Sequence, residues 1–397
     1  MEPKNPPQAP EPAPIVPFRD EQSWPESAAP VLEPAKDVVP YYGLRWIFIG
    51  GQGLRAGWSV LMFLVLTFLF LLLLGSAFSR IGRALHLKLD PFSAGTTILQ
   101  EGTFFLSLLA AAAIVALIEH RRILDYNLAG PRRLTHFFSG LVAGFAALSV
   151  LVGSLAWGGW LHFGPAALTG GRVFEFAALW AMGFLLVGLC EEGGFRGYLQ
   201  STLTRGINFW WALGTIGIFC AVGLFNTKAN GPVGVYAMAL LGLGPCLLLH
   251  LKRAPGSGFW QAAWVTSTAF GFIHTGNTGE SWIGIFAAGF IGFVFCVSIR
   301  LTGSAWWAIG CHAAWDWAET YFYGTADSGL VARGHLLTTS PAGNAFWSGG
   351  TTGPEGSILI LGVLALLLAA LLLLYGRKCA LPDPSQAPSQ APAPLTS

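Results

Sequence analysis

From about residue 41 to residue 380 the chain alternates between long apolar runs and short polar breaks. A bilayer core takes about 20 residues of helix, and ten runs are of that order: 58–78, 99–118, 137–161, 174–203, 209–225, 233–250, 260–275, 282–300, 304–323 and 357–375. The pattern predicts an all-α fold, a multi-pass transmembrane helical bundle of about 8–10 spans. Trp58, Trp157, Trp160, Trp210, Trp211, Trp260, Trp282, Trp306 and Trp307 stand near predicted helix ends, where an aromatic belt belongs.

The two ends read differently. Residues 1–40 are rich in Pro, Ala and Glu and hold seven acidic residues with no apolar run, which predicts a disordered Pro-rich arm. No apolar stretch follows the start as it would in a signal peptide. Residues 381–397 form a similar disordered tail, leaving one polytopic membrane domain over 41–380. With the N-terminus in the cytoplasm, most of the 22 Lys and Arg fall in cytoplasmic segments, so both termini are expected inside a plasma or inner membrane. The loop with Arg80, Arg83 and Lys88 runs against that rule.

Composition narrows the class. Hydrophobic residues make up 53% and charged ones 11%, against about 25% charged in soluble domains, so a soluble enzyme is excluded. A net charge of +2, dispersed along the chain, gives no nucleic-acid footprint. The six cysteines show no CxxC spacing and support neither a disulfide framework nor a thiolate metal site.

An ionisable side chain in a spanning helix costs about 2.5–3.5 kcal/mol on insertion scales, so those that remain there carry function or pair with each other. Glu101, Glu280, Asp327 and Glu355 fall in loops or at span edges and are set aside with the arm's acids. Glu191, Glu192, Asp316 and Glu319 remain, with His274 and His312 the two histidines inside apolar helical sequence. Glu192 and Arg196 are four apart and share a helix face, so the arginine can neutralise that carboxylate while Glu191, about 100° round the helix, stays free. His312 and Asp316, like Phe270 and His274, are also four apart. At 1.5 Å per residue, Glu191, His274 and His312 each lie about 18–21 Å from the cytoplasmic end of their helix and can meet at one level. Glu319, Asn277 and Phe270 are read as boundary or packing residues.

At these positions the chain resembles the CPBP family of intramembrane proteases, the CAAX proteases and bacteriocin-processing enzymes related to type II CAAX prenyl endopeptidases. The family's EExxFRGxL motif stands here as Glu191-Glu192-Gly193-Gly194-Phe195-Arg196-Gly197-Tyr198-Leu199, FxxxH as Phe270 to His274, and HxxxN/D as His312 to Asp316. The resemblance covers about 174–320. It departs from the pattern in an 83-residue gap between Glu191 and His274 that holds two extra spans, and in Asp316 where many members carry Asn.

The resemblance implies a catalytic set of Glu191, Glu192, Arg196, His274, His312 and Asp316, with a membrane-associated peptide or protein as substrate in the lipid bilayer. Glu191 would activate water, aided by His274, with His312 and residue 316 near the oxyanion and Arg196 holding Glu192. The family is also described as metalloproteases: Glu191, His274 and His312 form an acceptable zinc set, so the cofactor is none or zinc. Two rivals stay open, a proton-coupled membrane transporter and a non-catalytic membrane scaffold or immunity protein.

Overall fold

The computed structural model describes residues 45–50, 53–86, 90, 92–225, 231–253, 256–277 and 279–376. The predicted arm 1–40 and tail 381–397 lie outside these residues.

A short helix α1 (Arg45–Phe48) and the hairpin β1 (Ile49–Gly50) and β2 (Gly53–Leu54) lead into α2 (Ala56–Ala84). Then follow α3 (Ala94–Ile118), α4 (Arg133–Trp157), strand β3 (Leu161–Ala166) and α5 (Gly171–Glu192), which runs through a π-helical turn at Gly193–Leu199 into α6 (Gln200–Thr204). Next come α7 (Phe209–Phe225), α8 (Gly231–Leu251), α9 (Ser257–Ile273), α10 (Trp282–Thr302) and α11 (Trp306–Asp316), the last extended by a second π-helical turn at Trp317–Tyr323. Strand β4 (Leu337–Pro341), α12 (Ala345–Ser348) and α13 (Leu359–Tyr375) complete the order.

All ten predicted spans are present as helix. Helices α2, α3, α4, α10 and the continuous Gly171–Thr204 are long and apolar enough to cross a membrane, and Phe209–Val222, Leu241–Leu251 and Leu359–Tyr375 are shorter apolar helices. The chain is a multi-pass helical membrane protein. Its outer faces carry bare apolar side chains, among them Phe68, Leu73, Val142 and Leu373, as helices in lipid require and helices in water avoid. Trp157 and Trp211 are largely exposed, in keeping with a belt. Trp307 is not a belt residue: it is 2% exposed and packs with Phe295, Leu151 and Leu364 in the main core.

In lipid the hydrophobic effect does not drive helices together, so close packing rests on small residues. On α4, Gly140 and Gly144 lie so near α11 that a Cβ there would collide with the carbonyl oxygens of Trp307 and Cys311. A Cβ at Gly188 of α5 would lie 2.9 Å from the Ile309 carbonyl oxygen. Helix α11 is thus seated between α4 and α5 by backbone contact, which fixes where His312 and Asp316 stand.

The inserted hairpin α7–α8 packs on the outer side of α9 through Phe209, Ala212, Ile216, Cys246 and Val265. It also reaches the C-terminal end of α9, where Phe219 of α7 stacks on Phe272, two residues before His274, with ring centroids 5.3 Å apart. Strands β3 and β4 pair antiparallel, Leu161 with Pro341 through Phe163 with Thr339.

Candidate active site

Glu191 and Glu192 are the last two residues of α5, and the backbone widens into the π-helical turn immediately after them. Such turns occur mostly as single bulges inside α-helices and are frequent at functional sites. Glu192 and Arg196 are both fully buried, with Arg196 Nε 3.2 Å from Glu192 Oε2 and Nη1 donating to Oε1 at 3.3 Å. The guanidinium carbon lies 4.2 Å from the centre of the Phe270 ring, with Phe195 and Phe295 each at 5.6 Å. Three aromatic faces thus shield a charge that has no water. Space for it comes from Gly292 of α10, where any Cβ would collide with Arg196 Nη2.

His312 joins the carboxylates. Its Nδ1 is 2.9 Å from Glu192 Oε1, and its Nε2 is 3.8 Å from Glu191 Oε2 and 3.4 Å from Asp316 Oδ2. The Phe295 ring stacks on the imidazole at 5.9 Å between centroids. Side-chain exposure rises from 0% at Glu192 through 13% at Asp316 and 14% at His312 to 28% at Glu191. Glu192 is the closed end of this chain of contacts, and Glu191 is its most exposed carboxylate.

His274 ends α9 on a 3-10 turn. Its Nδ1 lies 2.7 Å from the Phe270 carbonyl oxygen, so in the neutral ring Nδ1–H donates there and Nε2 keeps its lone pair for a proton or a ligand. A cavity of about 50 Å³ is lined by His274, His312, Asp316, Phe270, Phe295 and Glu355. At about 10–15 Å³ per water centre it has room for about three to five waters. A far larger groove of about 960 Å³, lined from α2, α7 and α9, holds none of these polar groups.

The structure therefore gathers Glu191, Glu192, Arg196, His312 and Asp316 by direct contact, and His274 by a shared cavity. No hydrogen bond or ion pair joins His274 to Glu191 among the described residues. Nor, among them, do three His, Cys, Asp or Glu side chains converge as metal ligands. The Glu191, His274 and His312 set does not have the geometry of a zinc site here.

Two carboxyl residues set aside by position, Glu355 and Glu101, belong near the site, and Glu319, kept by the elimination but read as a boundary or packing residue, is buried beside it. Glu355, 39 residues beyond Asp316, lines the cavity from the 3-10 turn Pro354–Gly356 and accepts a hydrogen bond from Trp315 Nε1 at 2.8 Å. Glu101 lies within α3 rather than at its edge, in electrostatic reach of Glu191 and His312, and its backbone oxygen accepts from Cys190 Sγ at 3.4 Å. Glu319 is 1% exposed, and neither carboxyl oxygen has a hydrogen-bond partner among the described residues. Only its place one turn past Asp316 hinted at this.

Burial raises the carboxyl of Glu355 well above its ordinary range, with Asp327 and Glu280 adding to the effect. Burial likewise raises Asp327 and Glu280. All three stand in loops at the cavity's end of the bundle.

Two overlapping segments, residues 173–253 and 245–318, match the family model described as type II CAAX prenyl endopeptidase Rce1-like. No curated protein and no solved structure matches the chain. The first segment contains the Glu191 to Arg196 motif, and the second contains His274, His312 and Asp316. All three motifs fall inside the match, so it is the helices that build this site, within residues 173–318, that are similar to the Rce1-like family of type II CAAX prenyl endopeptidases.

Proposed function

We propose that the protein is an intramembrane endopeptidase that hydrolyses a peptide bond in a membrane-associated protein or peptide, by glutamate catalysis without a metal. The observation that carries this reading is the position of His312: Glu192 holds one ring nitrogen while the other faces both Glu191 and Asp316.

Glu191 takes a proton from water as the hydroxide adds to the scissile carbonyl. His274, with Nε2 open towards the cavity, helps to orient that water. His312 and Asp316 stand where negative charge develops on the carbonyl oxygen. A carboxyl group can donate a hydrogen bond only when protonated, so His312 is the donor and Asp316, 3.4 Å from its Nε2, orients the ring. The proton held by Glu191 then passes to the leaving amine. Glu192 and Arg196 hold the frame.

The enzyme is placed in a plasma or inner membrane with both termini cytoplasmic. The arm 1–40 and tail 381–397 flank a membrane domain at 41–380, whose catalytic core is 174–320.

The test compares the membrane peptides of wild-type cells with those of a Glu191→Ala strain. A precursor that accumulates uncleaved in the variant supports the proposal. Complete restoration of a deletion phenotype by Glu191→Ala and by His274→Ala sinks it. Loss of activity of the purified protein on exhaustive chelation, restored by zinc, would replace glutamate catalysis with metal catalysis.

A further inference from the structure

The groove of about 960 Å³ between α2, the turn from α6 to α7, and α9 shares no residue with the candidate active site. Its volume is at the upper end of the about 300–1,000 Å³ of ordinary ligand sites. The chemistry of its walls changes along its length. At one end stand Arg55, the residue before α2, and Arg205, the residue after α6. The two are brought together by the contact of their neighbours, since a Cβ added to Gly206 would lie 2.7 Å from the Ala56 Cβ. No carboxylate lines the groove among the described residues. Arg205 Nη2 lies 3.1 Å from Glu119 Oε2, but Arg121 shares that oxygen at 3.7 Å, and the Tyr126 hydroxyl donates to it as well. One carboxylate between two guanidinium groups leaves a surplus of positive charge at this end.

Beyond the arginines the walls are apolar, with Leu61 and Leu64 from α2, Phe219 from α7 and Ala269 from α9. Leu64 follows Arg55 by nine residues and Phe219 follows Trp211 by eight, which is about 12–14 Å along their helices. One leaflet supplies about 15 Å of a bilayer's hydrocarbon core. The hydroxyls on this length are already bonded: Thr215 Oγ1 donates to the Trp211 carbonyl oxygen at 2.8 Å, and Thr266 Oγ1 to Gln200 Oε1 at 3.0 Å. A ligand therefore meets charge at the arginine end and apolar surface from there inward. A free anion would leave the apolar length bare, and a neutral chain would leave the arginines unused. A lipid with a phosphate head and an acyl tail satisfies both, because arginine pairs strongly with phosphate and basic pockets between spanning helices bind anionic heads.

We propose that this groove binds one anionic phospholipid, its phosphate at Arg55 and Arg205 and an acyl chain along Leu61, Leu64 and Phe219. The site does not depend on the protease reading. Its apolar end does meet α9 close to His274, since Phe219 stacks on Phe272.

The test titrates full-length protein in dodecyl maltoside with dioleoyl phosphatidylglycerol, with dioleoyl phosphatidylcholine and with inorganic phosphate, and counts bound lipid by native mass spectrometry. One phosphatidylglycerol is expected to bind saturably, about tenfold tighter than phosphatidylcholine, and an equal concentration of phosphate is expected not to displace it. The preference is expected to fall to about threefold or less in Arg55→Gln, with Arg205→Gln as the second variant should the first fail to fold. Leu64→Trp fills the groove from an exposed position on α2 and is expected to weaken both lipids while keeping their ratio. Equal affinity for the two lipids, a preference unchanged in the arginine variants, or phosphatidylglycerol binding unchanged in Leu64→Trp overturns the proposal. So does displacement by inorganic phosphate, which assigns the arginines to a free anion.

Discussion

The Nδ1 atom of His312 lies 2.9 Å from Oε1 of Glu192, a carboxylate that also holds the buried Arg196. One carboxylate therefore couples the π-helical turn after α5 to the middle of α11. The imidazole cannot rotate without breaking the hydrogen bond to its inner nitrogen, so Nε2 stays turned towards Glu191 and Asp316.

Removing one partner of a buried ion pair costs about 3–5 kcal/mol, because the other charge is left uncompensated. Glu192→Leu is thus expected to lower thermal stability in detergent sharply, with little folded protein recovered. The double variant Glu192→Leu/Arg196→Met removes both charges and is expected to regain most of that stability while staying inactive, since His312 has lost its anchor. A double variant as unstable as the single one would show that the pair is not the source of the cost.

Glu191 presents the opposite case. It is 28% exposed at the side chain, and its Oε2 has no hydrogen-bond partner among the described residues. Glu191→Gln keeps the shape and removes the base, and general-base catalysis is worth about 10²–10⁴ in rate. Turnover of a quenched peptide is expected to fall by that factor with the melting temperature unchanged. A loss of stability equal to that of Glu192→Leu would assign Glu191 a structural role instead.

The ten helices and the coincidence of Glu191, Glu192, His312 and Asp316 were legible in the sequence because lipid leaves so few ionisable residues in apolar helices. Elimination by local context failed for Glu355, which follows a glycine-rich loop and reaches the cavity only because α13 returns against α10. Glu319 survived that elimination but was read as a boundary or packing residue, because its full burial depends on neighbours from other segments. The two π-helical turns were equally hidden: the i to i+4 spacing of Glu192 and Arg196 fits an α-helix, and the widening of the backbone follows from tertiary contacts. Trp307, placed in the belt by its position near a helix end, is instead clamped against α10 and α13.

Gly292 offers a test of the frame from a different helix. Any side chain there collides with Arg196 Nη2, and overpacking a filled interior typically costs about 1–3 kcal/mol. Gly292→Ala is expected to destabilise by that amount and to lower kcat more than KM, because the displaced guanidinium carries Glu192 and His312 with it. Gly289→Ala, where the added Cβ meets Ser267 O at 3.5 Å, is the control and is expected to be near neutral. Equal effects of the two would remove Arg196 from the account.

The seat of α11 is tested at Gly144, whose missing side chain admits the Cys311 carbonyl. Gly144→Val forces α4 and α11 apart by more than side-chain repacking can absorb, and the residue after Cys311 is His312. Activity is expected to be lost together with stability, by about 1–3 kcal/mol or more. Val142→Ala, on the lipid-exposed face of the same helix, is expected to change neither. Full activity in Gly144→Val would mean that the backbone contact does not position the histidine.

The loop carboxyls predict how stability varies with pH. Glu355, Asp327 and Glu280 are raised above ordinary values of 4.5, 3.8 and 4.5, chiefly by burial. In the window above those values the folded protein still binds protons that the unfolded chain has released. Unfolding there releases protons, so stability falls as pH rises through the window. The melting temperature in detergent is expected to be higher near pH 5 than near pH 8. Glu355→Gln removes one of the three raised groups and relieves its repulsion with Asp327, Glu280 and Asp316, so its advantage over wild type should grow towards pH 8. A variant whose advantage shrinks with rising pH, or a wild type more stable at the alkaline end, would mean that these carboxyls are stabilised as anions in the fold.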